Sequence, residues 1–149
     1  MKHIKKILFL IDFAEKYTTL IPWVATFAEN FKAKLYVVYV TKDLSEFASF
    51  HVPHGSIKTF QEEAVKAAQK KMNAVAKEQF KDIKRLETRV LVGPPAEKIV
   101  EFAQQEGVDL IVMGTRGRLG LDYAIFGSVC RKVVRAAPCP VITINPDKV

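Results

Sequence analysis

Apolar residues along this chain change spacing in a regular way, from short unbroken runs to helical periods and back. KKILFLID (5–12) is a compact Ile/Leu run, suited to a strand covered on both faces. Tyr17, Leu20, Ile21, Val24, Phe27, Ala28 and Phe31 follow at helical spacing. Thr18 or Thr19 is placed to cap that helix, leaving Pro22 in its first turn, where a missing N–H costs little. AKLYVVYVT (33–41) predicts a second buried strand. DLSEFASFHVPHGSIK (43–58) has no clear period and predicts a long connection, mobile over 45–58. From about Thr59 to Phe80 the helical period returns, with Phe60, Ala64, Ala68, Met72, Val75 and Ala76 on one side.

The second half repeats the alternation. LETRVLVG (86–93) predicts a third strand, and PAEKIVEFAQQEG a helix with Pro95 near its start and Gly107 as its stop. Ile99, Val100 and Ala103 are its inward positions. VDLIVMG (108–114) is a fourth strand. GSVCRKVVRAAPCP is a fourth helix, with Val129, Val133, Val134 and Ala137 inward and Ser128, Arg131, Lys132 and Arg135 on the other face. PVITI (140–144) is a last short strand. Five covered strands separated by helices predict an α/β fold: one doubly wound domain over 1–149, with a parallel sheet and right-handed crossovers. No repeat or low-complexity tract divides it.

Composition narrows the class. Hydrophobic residues make up 49% of the chain and charged residues 26%, which suits a packed core and argues against disorder. The longest apolar runs fall far short of a membrane span. MKHIKKILFLIDF superficially resembles a secretory leader, but Asp12 interrupts the apolar patch and no small-residue cleavage site follows. A cytoplasmic protein is expected. The net charge of +7 permits anionic partners, although acidic residues are interleaved along 66–85, as on a solvated helix face. Cys130 and Cys139 read as reduced thiols, not a disulfide framework.

The candidate chemistry lies in GTRGRLGLDYAIFGS (114–128), which holds four of the chain's seven glycines. The stretch leaves the carboxyl end of the fourth strand, and Asp12 stands at the carboxyl end of the first. Open parallel sheets bind ligands there, where strand order reverses. Gly114 and Gly117 would let the backbone turn sharply against a ligand. Gly127 and Ser128 open a helix whose free N–H groups and positive dipole end suit a phosphate, and Arg116 and Arg118 could reinforce it. Asp12 suits donors on a nucleoside, whether ribose hydroxyl or base amine. GxxxxGK[ST] is absent, and the turn IDFAEK lacks GxGxxG. On these residues alone, glycines that only shape a long loop remain an equal alternative.

The order of elements, GPPAEKIVEFAQQEGVDLIVMGTRG and the ending GSVCRKVVRAAPCPVITI closely resemble the universal stress protein (UspA-like) family, from Lys5 to Ile144. The most specific likeness is to that family's ATP-binding signature, G-x2-G-x9-G-[ST]. It falls here on Gly114, Thr115, Arg116, Gly117, nine residues 118–126, then Gly127 and Ser128. The resemblance implies an adenine nucleotide alpha hydrolase-like sheet of order 3-2-1-4-5 with four helices. It implies ATP as ligand, possible Mg or Mn on its phosphates, and a nucleotide-responsive regulatory homodimer acting in stress response. Asp12 would meet the adenosine end and Val40 offer a backbone contact. Met113 leads into the loop, and Gly127, Ser128 and Val129 would meet the phosphates. Dimers would pair through Val141 to Ile144, an apolar edge strand, and a regulatory protein partner would read the nucleotide state. Two departures are Ala14, where many relatives carry Ser or Thr, and Thr115-Arg116, where many have Ser-His or Ser-Arg.

Other chemistry is thinner. His51 and His54, with His3 far off, lack the Cys or acidic company of a metal site. No GxSxG occurs, and Cys130 has no evident His partner. Asp12 lies at the wrong end to serve a γ-phosphate, so any hydrolysis should be slow and no catalytic residue is assigned. The Arg131/Lys132/Arg135 face lacks the interleaved aromatics of a nucleic-acid platform. A stress scaffold that binds no nucleotide is the alternative from another class.

Overall fold

The computed structural model describes residues 1–13, 16–47, 53–115 and 127–149. Strands β1 (Lys6–Leu10), β2 (Lys34–Thr41), β3 (Leu86–Val92), β4 (Leu110–Gly114) and β5 (Val141–Ile144) alternate with α1 (Ile21–Phe31), α2 (His54–Gln79), α3 (Pro95–Glu106) and α4 (Ser128–Ala136). The strands form one parallel sheet in the order β3-β2-β1-β4-β5, as expected.

The strand alternation divides the core into two. Ile7 and Phe9 of β1, with Ile11 just after it, join Leu35, Val37 and Val112 against Val24 and Ala28 of α1 and Met72 and Val75 of α2. Leu8, Val38, Ile111 and Met113 point the other way, against Ile99, Phe102 and Ala103 of α3 and Cys130 and Val133 of α4. The central strands β1, β2 and β4 are covered on both faces, which explains why they read as nearly unbroken apolar runs. At the amino end of the sheet the Asp109 carboxylate accepts the N–H groups of Lys5 and Lys6, at 2.9 and 3.0 Å. Gly107 ends α3 in the left-handed conformation (φ 64), with Val108 N–H returning to the Ala103 carbonyl at 2.9 Å.

Several boundaries depart from expectation. α2 starts at His54, so 54–58 is helix and not loop, and Leu44–Phe47 forms a 3-10 turn; only 48–52 of that connection lies outside the described residues. Ile57 anchors the added turn in the core, and Gln61 Oε1 accepts the Leu44 N–H at 2.7 Å. Neither Thr18 nor Thr19 caps α1. Tyr17–Leu20 is a 3-10 turn, Thr19 sends both its hydroxyl and its N–H back to the Lys16 carbonyl, and Leu20 stands at the cap. Phe60 and Val134 are solvent-facing, 60% and 50% exposed. On α4 the inward direction is set by Cys130 and Val133, one turn apart, and Val134 lies about 100° round from Val133.

Candidate functional site: the carboxyl ends of β1, β2 and β4

Register determines what meets at this end of the sheet. Leu10 pairs with Val38, and Phe9 with Val112. Carried forward, the same register brings Asp12 level with Val40 on one side and Thr115 on the other. The ladder continues with Ile11 N–H donating to the Val38 carbonyl at 2.9 Å. Strand alternation then turns the N–H and C=O of Val40 to the same side as those of Val38, above the point where β1 leaves the ladder. The Val40 side chain, 4% exposed, is anchored in the α3/α4 core. It thus offers backbone to the crevice while its side chain holds the strand in place.

On the opposite wall Met113 is buried in the same core and pairs with Thr143, and Gly114 pairs with Ile144. Gly114 is therefore the last residue of a regular strand and does not make the turn expected of it. Thr115 donates its N–H to the Ile144 carbonyl at 2.9 Å, and its own carbonyl accepts the Gly127 N–H at 2.7 Å. The end of β4 and the start of α4 are joined directly. Arg116 and Gly117, like Arg118 and the rest of 116–126, lie outside the described residues, as does Ala14.

Gly127 caps α4 with φ −66 and ψ 163, backbone that any residue adopts, and as a glycine it has no side chain to bond the first turn. The leading N–H groups of the helix have no intrahelical partner by construction and form an anion-seeking end. Ser128 is exposed beside them, and Val129 packs partly against the core. Beneath this end is Thr115, 7% exposed, whose Oγ1 has no hydrogen-bond partner among the described residues. An unpaired buried hydroxyl costs about 1–3 kcal/mol, so a native chain rarely keeps one without use.

Sequence reasoning missed the support behind Asp12. The Phe13 ring lies 5.6 Å from Tyr17 and 4.9 Å from Tyr39, with Lys71 Nζ 4.1 Å above it. The Lys16 ammonium meets the Asp147 carboxylate at 2.5 Å, tying the segment after β1 to the segment after β5. The first three residues are all aromatic, but only the fold shows that they share one spot. Asp12 itself is half-buried.

The remaining candidates sit apart. Burial pushes the Cys130 thiol up to about 11, and burial, with the nearby Asp109 carboxylate, also raises Cys139, so neither is a thiolate at neutral pH. His54 is exposed at the start of α2, and His51 lies outside the described residues. Among the described residues, no helix is long and apolar enough to cross a membrane, and no three His, Cys, Asp or Glu side chains cluster to hold a metal ion.

Comparison with known proteins gives consistent matches. Residues 3–145 match the model of the universal stress protein family. A universal stress protein of Methanocaldococcus jannaschii, MJ0531, is 36% identical over 81% of this chain and 70% of its own length. The solved structure of MJ0577, from the same organism, superposes over 97% of both chains with TM-score 0.83 at 26% identity. A universal stress protein from Archaeoglobus fulgidus, solved in complex with dAMP, superposes with TM-score 0.66 at 22% identity over 97% of this chain and all of that one, a likeness of fold.

Proposed function

Because this chain belongs to the universal stress protein family, we propose that it binds an adenine nucleotide, ATP foremost, and acts in stress response as a nucleotide-responsive regulatory homodimer. The observation that carries this reading is the buried Thr115 hydroxyl, without a partner among the described residues, next to the amino end of α4, whose Gly127 cap has no side chain to bond its N–H groups. Both offer hydrogen-bond donors at one place, where a phosphate would supply acceptors. The dAMP held by the Archaeoglobus fulgidus protein is in keeping with it.

In this reading Asp12 accepts from the nucleoside and the Val40 backbone meets the base. Met113, Gly114 and Thr115 form the opposite wall. Gly127, Ser128 and Val129 donate to the phosphates, and Arg116 and Gly117 enter through the glycine signature alone. Any Mg or Mn would ride on phosphate oxygens and water, as such ions usually do. No side chain here is assigned to attack or to activate water, so occupancy, not turnover, is the signal. The dimer pairs through β5, an apolar edge strand whose outer backbone groups a second copy could satisfy.

The test is to denature purified protein, identify any released nucleotide by chromatography and mass, and titrate emptied protein with ATP. Released adenine nucleotide, or saturable binding, supports the reading. An empty protein that does not bind ATP leaves a stress scaffold working through protein contacts alone.

A further inference from the structure

Away from the crevice, α3 and α4 pack side by side on one face of the sheet and leave an outward groove of about 440 Å³. Its apolar lining comes from Ala96, Val100 and Ala136, with Gln104 beside them. Its walls differ in sign: Glu97 and Glu101 stand on the α3 side, Lys132 and Arg135 on the α4 side. Glu97, Lys132 and Arg135 have no ion pair among the described residues, while Glu101 meets its helix neighbour Lys98 at 3.5 Å and accepts from Gln105 at 3.4 Å. The chain therefore presents one acidic and one basic wall with no ion pair between the two walls among the described residues.

From this geometry we infer that the groove is a self-association surface for a second copy of this chain, related by a two-fold axis running along the groove. Charge selects the occupant and the axis together. A two-fold axis along the groove exchanges the walls, so the acidic α3 of each copy lies over the basic α4 of the other. An axis across the groove sets acid on acid and base on base, which is strongly unfavourable.

The axial levels agree as well. α3 and α4 run in the same direction, because each returns from the carboxyl end of one parallel strand to the start of the next. Glu97 and Glu101 are the third and seventh residues of α3, and Lys132 and Arg135 the fifth and eighth of α4. A two-fold axis along the groove preserves those heights; counted from each helix's first residue, the paired positions are offset by roughly 1.5–3 Å at the helical rise, within reach of these side chains. The contact is small, exposed and charge-led, so it is weak and salt-sensitive. It is separate from the β5 edge, and a chain using both surfaces would build assemblies larger than a dimer.

The test uses sedimentation velocity over a concentration series on full-length protein. Two variants are made: Glu97→Lys with Glu101→Lys, and Lys132→Glu with Arg135→Glu. All four positions are exposed, and circular dichroism checks the fold. Each variant alone should lose one association step of the wild type, its dissociation constant rising at least about tenfold. An equal mixture should regain the wild-type mass, because an all-basic groove then faces an all-acidic one. Pairing through β5, where present, is common to every sample and cancels. A mass that neither variant changes, or a mixture that fails to recover the lost step, overturns the inference.

Discussion

Gly127 donates its backbone N–H to the carbonyl of Thr115 at 2.7 Å, so the helix that begins and the strand that ends meet directly although 116–126 separates them in sequence. The amino end of α4 is thereby fixed against β4 by bonds outside the glycine loop. The cap backbone, at φ −66 and ψ 163, would accept valine. Gly127→Val should therefore keep the fold and thermal midpoint while filling the space a phosphate needs. Calorimetric titration with ATP should show binding abolished; undiminished affinity would remove the phosphates from this helix end.

Thr115→Val separates ligand from stability. Losing an unpaired buried hydroxyl should stabilise the empty protein by about 1 kcal/mol, or raise its midpoint by ~2–4 °C. The same change should weaken ATP binding about tenfold, because a hydrogen bond to a charged oxygen is lost. Melting curves with and without ATP read both effects. A variant that melts lower when empty, or binds as tightly, would show the hydroxyl to be structural.

Gly93 continues the β2–β3 ladder, its N–H reaching the Thr41 carbonyl at 2.9 Å, with φ 137. A Cβ added there would lie 2.8 Å from Lys98 Cε. That side-chain end can move, but the backbone cannot become easy for an L-residue. Gly93→Ala should cost about 1–3 kcal/mol in urea unfolding, where a midpoint equal to the wild type would contradict the strain.

Hydrogen bonds from Lys34 Nζ, at 2.7 Å, and from Arg89 hold the Glu87 carboxyl below its ordinary value. A depressed folded value means stability that is present above the unfolded carboxylate value, about 4.3, and lost as pH falls through the folded one. Lys34 is raised from 10.5 chiefly by Glu87, so its contribution is present below 10.5 and lost at higher pH. Both groups are partly exposed, and the effect should be under about 1 kcal/mol. Melting midpoints of Glu87→Gln should fall less steeply than wild type on acidification below roughly pH 5. Parallel curves would show that the pair contributes nothing.

The centre of the sheet was legible because β1, β2 and β4 are covered on both sides, and runs such as LYVVYV admit little else. The start of α2 was not, because His54–Lys58 is polar apart from Ile57, and one buried residue makes no period. Phe60 and Val134 misled for the opposite reason: apolar residues at nearly the right angle still face water when a neighbour one position away fills the core. Asp12 and Gly127 could be proposed from type and place. The aromatic support under Asp12 and the orphaned Thr115 hydroxyl depend on register and packing between segments far apart in sequence, which no local pattern encodes.

The Ile144 carbonyl has a consequence beyond the geometry of the loop. It holds Thr115 from the inner margin of β5, while the outer margin of that strand is the edge of the sheet. One short strand thus belongs both to the crevice wall and to the surface where another copy would pair. If a bound nucleotide tightens the Thr115 contact and so favours pairing, then pairing must raise nucleotide affinity by the same factor, since reciprocity between two binding equilibria is obligatory. The protein's own concentration would then help set how much nucleotide it holds.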